Sequence, residues 1–232
     1  MNETVSSVYF PQNGFSPVAF AHHLSRFINS MQKKNDHRPI LFLCIGSDRV
    51  FGDCLGPLIG YKLTRLSCTM PELFTVKGSL SHPVHALNLK ETLKQLRMMK
   101  HDFLIIAIDA AIGSPNNLGT LCLCADSLRP GEGVFKSLPA VGDISITAVT
   151  SSDDNPIPFH RQNIPLSFIM KLADNIYDGI FTFLTTYCCQ SKPCIAQVTP
   201  LLTDHCFPDR MNQTCQAACT LYPYQEQIHN RF

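Results

Sequence analysis

Residues 40–63, ILFLCIGSDRVFGDCLGPLIGYKL, decide the reading of this chain. The first six are an unbroken apolar run of strand length; Gly46 and Gly52 bracket a short polar loop; from Pro57 onward the apolar positions fall at helical spacing. Pro57 has no N–H and is tolerated best in a first helical turn. This predicts a helix start near Gly56 and leaves Asp53 in the loop or beside the cap. Strand, loop and helix form the repeating unit of α/β sheets, whose ligands bind where loops leave the carboxyl ends of the strands. Asp53 taken alone is better explained as a helix cap, and a second acidic residue is what shifts the reading.

Working outward, residues 1–15 are polar on balance, with Pro11 and Gly14 as breakers, and read as a loose arm. Residues 17–32 read as a helix capped by Ser16, with Pro17 as its first residue. Residues 73–76 read as a short strand, and residues 88–100 as a helix with Leu89, Leu93, Leu96 and Met99 on one face. Residues 103–108, FLIIAI, read as a strand buried on both faces and ending at Asp109. Two more strands are expected at 119–125 and 144–149. A long packing helix follows over 165–187, with Asp174 and Asp178 on its solvated side.

Strands that alternate with helices imply βαβ units, hence an α/β fold of three layers (αβα) around a mainly parallel sheet. Asp53 and Asp109 then follow strands at one edge of that sheet. If those strands are neighbours, the two carboxylates face one crevice. Asp109 alone is also an ordinary turn residue. The glycines form neither GxGxxG nor GxxxxGK[ST], so they carry no nucleotide signal.

The 232 residues suit one sizeable domain with trimmings, and 45% hydrophobic against 16% charged residues is a globular balance without a membrane span. Nineteen basic residues against eighteen acidic ones offer no field for nucleic acid or an anionic membrane. The amino terminus lacks the apolar core of a secretory signal, which predicts a cytoplasmic protein. Cys44, Cys54, Cys68, Cys122 and Cys124 sit in apolar or strand-like surroundings and read as reduced core residues. Cys54 beside Asp53 is a candidate nucleophile only if a His base stands near it.

The motifs CIGSDRVFGDCLGPLIG, GSLSHPVHALNL, IAIDAAIG and LRPGEGVFKSLPAVGDISITAV resemble those of the YyaC family of sporulation proteins from endospore-forming bacteria, over residues 38–182. That family is similar in fold to the germination proteases of spores and to hydrogenase maturation proteases, so the resemblance implies a peptidase/phosphorylase-like fold. Gly46, Asp53 and Gly56 match the first motif, and Asp109 the second acidic position. In the germination proteases these acidic positions look catalytic. In the maturation proteases they help bind a metal together with a later His, a place for which His160 is the candidate here. The resemblance thus implies catalysis by Asp53 and Asp109 on a peptide or protein substrate, or a divalent metal held by Asp53, Asp109 and His160. Gly46, Asp48, Arg49 and His85 are the substrate-binding candidates, and His85 is also explained as a structural residue at a helix mouth.

The expected organisation is an arm and helix over 1–37, the peptidase-like domain over 38–187 and a Cys-rich tail over 188–232. In the tail, Cys188, Cys189 and Cys194 with His205 or Cys206 offer four zinc ligands, yet their spacing contains no CxxC pair; Cys215 and Cys219 complete the cluster. An extension without a specified fold is the alternative. Two functions follow. One is a sporulation-associated peptidase of the cytoplasm or the forespore; the other is a non-catalytic module that keeps the fold and crevice for a ligand or partner.

Overall fold

The apolar run at residues 40–45 forms strand β2 (Ile40–Cys44), every residue of which is buried. In the computed structural model, which describes residues 6–32, 38–99, 102–131 and 138–191, β2 lies inside a six-stranded sheet. The other elements are β1 (Ser7–Phe10), α1 (Pro17–Met31), α2 (Leu55–Ser67), β3 (Phe74–Lys77), α3 (Leu89–Arg97), β4 (Leu104–Gly113), β5 (Leu121–Cys124), β6 (Ile144–Ser152) and α4 (Leu166–Ser191). The chain divides into two compact units, Met1–Phe183 and Leu184–Phe232. All six strands belong to the first.

The strand order is β1-β5-β6-β4-β2-β3. β3, β2, β4 and β6 run parallel, whereas β5 is antiparallel to both β6 and β1. Strand alternation separates the layers. Leu41 and Leu43 of β2, with Ile105 and Ala107 of β4, face α3 through Leu89, Leu93 and Leu96. The opposite face of β2 meets α2, where a side chain on Gly60 would stand 3.2 Å from the Cys44 Cβ. α4 lies beside α2, with Lys62 to Asp174 at 2.8 Å, and against α1, whose Phe20 ring fills the space over Gly179. The fold is therefore α/β, three layers around a mainly parallel sheet. No helix among the described residues is long and apolar enough to cross a membrane.

Four expectations need correction. Residues 7–10 are no loose arm: they form β1, pairing Ser7–Phe10 with Cys124–Leu121. The Phe10 ring packs on Phe15 and Phe20, which gives this short strand its hold. β4 does not stop before Asp109; it runs on to Gly113, because β6 supplies partners through Ser152. Helix α3 ends at Arg97, which leaves Met99 outside it and 44% exposed. Of the five cysteines taken as core residues, Cys44 and Cys54 are buried, Cys122 and Cys124 are half-buried and Cys68 is exposed.

Candidate functional site

Gly46 sets the geometry of the loop after β2. Its φ of +141° is a conformation that L side chains rarely adopt, and a Cβ there would stand 2.1 Å from the Asp53 carbonyl oxygen. The loop is folded back on itself at this point: the Ser47 N–H donates to that carbonyl at 3.1 Å, and the Asp53 N–H donates to Val50 at 2.9 Å. Residues Phe51–Asp53 form a 3-10 turn. Helix α2 starts at Leu55 with Pro57 in its first turn and Cys54 as its N-cap, which makes no side-chain cap bond. The capping position thus belongs to Cys54 rather than Asp53. Gly56 lets the helix start touch the strand, since a Cβ there would meet the Ile45 carbonyl oxygen at 2.0 Å.

β2 and β4 are neighbours in parallel register, Cys44 opposite Ile108, and the ladder continues through the Ile45 N–H to the Ile108 carbonyl at 2.7 Å. Asp109 is the next residue of β4, opposite Thr147 of β6. It is 6% exposed, one of the few buried polar side chains among the described residues. Its Oδ1 accepts from the Ala110 N–H at 2.9 Å. The Phe51–Asp53 turn lies against both β4 and β6. Burial pushes the Asp109 carboxyl well above the usual carboxylate range, the charge of Asp53 raises it further, and the Ala110 hydrogen bond opposes both. Asp53 itself is half-buried.

The other candidates divide. His85 sits at the same edge, after Val84, whose carbonyl accepts the Gly46 N–H at 2.8 Å. Its Nδ1 accepts from the Leu87 N–H at 3.3 Å and its backbone is tied to Asn88, so it organises the start of α3. Asp48 and Arg49 are exposed at the tip of the loop after β2. His160 is exposed in the 3-10 turn Phe159–Arg161, which packs on the Asp53 turn where Phe159 and Ile164 cover Gly52. Among the described residues no three His, Cys, Asp or Glu side chains are grouped so as to hold a metal ion. Asp53, Asp109 and His160 do not form such a group. Cys54 donates its thiol to the Phe51 carbonyl at 3.0 Å. Burial pushes that thiol up, which works against a thiolate nucleophile. The side chains of Cys188 and Cys189, and Cys194, His205, Cys206, Cys215 and Cys219, lie outside the described residues.

Sequence reasoning missed the end of β6. Ala111 pairs with Val149 and Ile112 with Ser151, so Thr150 is the extra residue of a bulge, and its hydroxyl donates to the Ala111 carbonyl at 3.5 Å. Bulges are rare in parallel pairs and concentrate beside functional sites. The buried Ser151 hydroxyl donates to Gln162 Oε1, tying the loop that carries His160 to the sheet. The signal was present in ITAVTSS, an apolar run that turns polar at its carboxyl end as FLIIAID does.

With this geometry in view, comparison with known proteins is informative. The family described as "Protein of unknown function (DUF1256)" matches residues 16–179. The chain belongs to this family. Within the chain's wider likenesses, "Uncharacterized protein YyaC" of Bacillus subtilis (strain 168) is 35% identical over 163 residues, 70% of this chain and 78% of that protein. Among solved structures, the [NiFe] hydrogenase maturation protease HycI from Thermococcus kodakarensis KOD1 superposes with a TM-score of 0.45 at 18% identity. That superposition covers 64% of this chain and 93% of HycI.

Proposed function

We propose that this protein is a peptidase that hydrolyses a peptide bond in a polypeptide substrate with Asp53 as base and Asp109 as acid. The observation that carries the reading is the burial of the Asp109 carboxyl inside β4, which together with the charge of Asp53 pushes its pKa well above the usual carboxylate range. A buried carboxyl and a half-buried one stand in different surroundings, and such a pair is suited to opposite proton transfers. Asp109 donates its proton to the scissile carbonyl oxygen while Asp53 takes one from an attacking water, whose oxygen bonds the carbonyl carbon. The resulting gem-diol collapses as Asp53 gives its proton to the leaving nitrogen and Asp109 recovers one from a diol hydroxyl. The C–N bond breaks, and both groups return to their starting state.

The YyaC resemblance adds the setting: a sporulation protein, acting in the cytoplasm or the forespore. A second reading is favoured by one observation, the missing third metal ligand among the described residues. On that reading the protein keeps the crevice to bind a ligand or partner without cleaving it. Incubating the full chain with small, unstructured spore polypeptides, and searching for new termini by mass spectrometry, separates the two. Cleavage lost by a factor of at least about 100 in each of Asp53→Asn and Asp109→Asn supports the peptidase. Cleavage that survives in both folded variants contradicts it.

A further inference from the structure

The four loops that leave the carboxyl ends of β2, β3, β4 and β6 each carry one large apolar side chain in the open. These are Phe51 at 54% exposure, Leu87 at 92%, Leu118 at 50% and Ile157 at 49%. A single exposed apolar residue is ordinary on a protein surface. One on each of these four loops, around the edge that holds Asp53 and Asp109, is a pattern; the fifth loop at this edge, residues 11–16 after β1, carries none. Each of the four also stands on fixed backbone. The Phe51 carbonyl accepts from the Cys54 thiol at 3.0 Å. The Leu87 N–H donates to His85 Nδ1 at 3.3 Å, and the Leu118 N–H to the Pro115 carbonyl at 3.3 Å. Ile157 is held at both ends: its N–H donates to Asn155 Oδ1 at 3.0 Å, and its carbonyl accepts from Gln162 Nε2 at 2.7 Å. Apolar side chains on ordered backbone lose little freedom when covered, which is what an anchor residue requires.

Charge narrows the occupant. The loops after β2 and β6 carry Asp48, Asp53, Asp153 and Asp154 against Arg49 and Arg161, while residues 78–88 and 114–120 carry no Lys, Arg, Asp or Glu. This edge is therefore negative in a chain whose overall balance is +1. Opposite charge in the partner steers association and excludes like-charged competitors. We infer that this edge docks an extended polypeptide segment with apolar side chains and net positive charge, anchored by Phe51, Leu87, Leu118 and Ile157. The inference rests on the peptidase reading for what then happens to the segment, and it names the substrate class of that site.

The test is fluorescence anisotropy on the full chain carrying Asp109→Asn, so that binding is read apart from turnover. The probes are two fluorescein-labelled peptides of Leu, Val, Gly and Ser, identical except that one carries Lys where the other carries Glu. The Lys peptide is expected to bind more tightly, and more weakly as salt rises. Adding Phe51→Ser with Ile157→Ser should weaken it about tenfold, the scale of losing two partly buried apolar contacts. Leu87→Ser, at the most exposed anchor, provides a second variant that leaves the core untouched. Tyr61→Ser with Met98→Ser, exposed apolar residues within α2 and at the carboxyl end of α3 rather than on these loops, should leave binding unchanged. Equal affinity for the two peptides, or anchor variants that bind as the control does, overturns the inference. If the Lys peptide binds as expected but the unsubstituted protein cleaves nothing, docking stands and the peptidase reading fails. If cleavage occurs and is indifferent to the anchors, the reverse holds.

Discussion

The Asp53 carboxylate, on the turn after β2, acts on the buried Asp109 carboxyl inside β4, adding to burial in pushing its pKa well above the usual carboxylate range. The two residues lie 56 positions apart in sequence (109 minus 53), and the parallel register of β2 with β4 brings them to one edge. The proposed acid–base chemistry depends on this pairing.

A pH dependence of stability follows. A carboxyl whose pKa is raised by folding stabilises the folded state fully below the unfolded value, about 4. That contribution is lost as pH rises from there through the raised folded value. Asp109→Asn keeps the shape and removes the titration. The stability difference between the variant and the unsubstituted protein should therefore move in the variant's favour as pH rises from acid to neutral. Denaturant melts of the two proteins across that range would check it, and a constant difference would refute it.

Gly46→Ala should lower stability by about 3 kcal/mol, from a strained φ and a Cβ driven onto a backbone carbonyl. The carbonyl belongs to Asp53, so the same substitution should also displace the Phe51–Asp53 turn. Gly14→Ala is the control: its φ is +82°, but nothing lies within 4 Å of the added Cβ. Thermal melts of both should separate the cost of conformation from the cost of collision.

Phe10→Ala should cost about 3 kcal/mol, as for other buried aromatic truncations, because Phe10 is 7% exposed and closes the β1 edge against Phe15 and Phe20. A loose arm would show no change in a denaturant melt.

These outcomes also mark what the sequence could and could not disclose. Gly46, Gly52 and Pro57 made the strand, loop and helix after residue 40 readable, because glycine and proline mark where the local backbone must turn or a helix can begin. The βαβ order followed from long apolar runs. β1 was invisible because four residues, SVYF, carry too little periodicity and their partner β5 lies far along the chain. The extension of β4 past Asp109 was hidden for a similar reason: β6, not local propensity, supplies the pairing there. At the site, two acidic positions could be read from the sequence. Their unequal burial could not, nor could the link from Ser151 to Gln162, since both arise from tertiary contacts.

Deleting residues 190–232 should leave a folded domain, because the sheet, α1, α2, α3 and the greater part of α4 lie within Met1–Phe183. Cooperative thermal unfolding of the shortened protein is the expected result. A clear fall in Tm when a chelator is added to the full chain would instead support zinc in the tail.

The most direct measurement is a carbon-13 NMR titration of the Asp109 carboxyl, in the unsubstituted protein and in Asp53→Asn. The account predicts that Asp109 titrates well above the usual carboxylate range and that its pKa falls when the Asp53 charge is removed. An Asp109 that titrates in the ordinary range, or that is indifferent to Asp53, would contradict the division into acid and base on which the proposed chemistry rests.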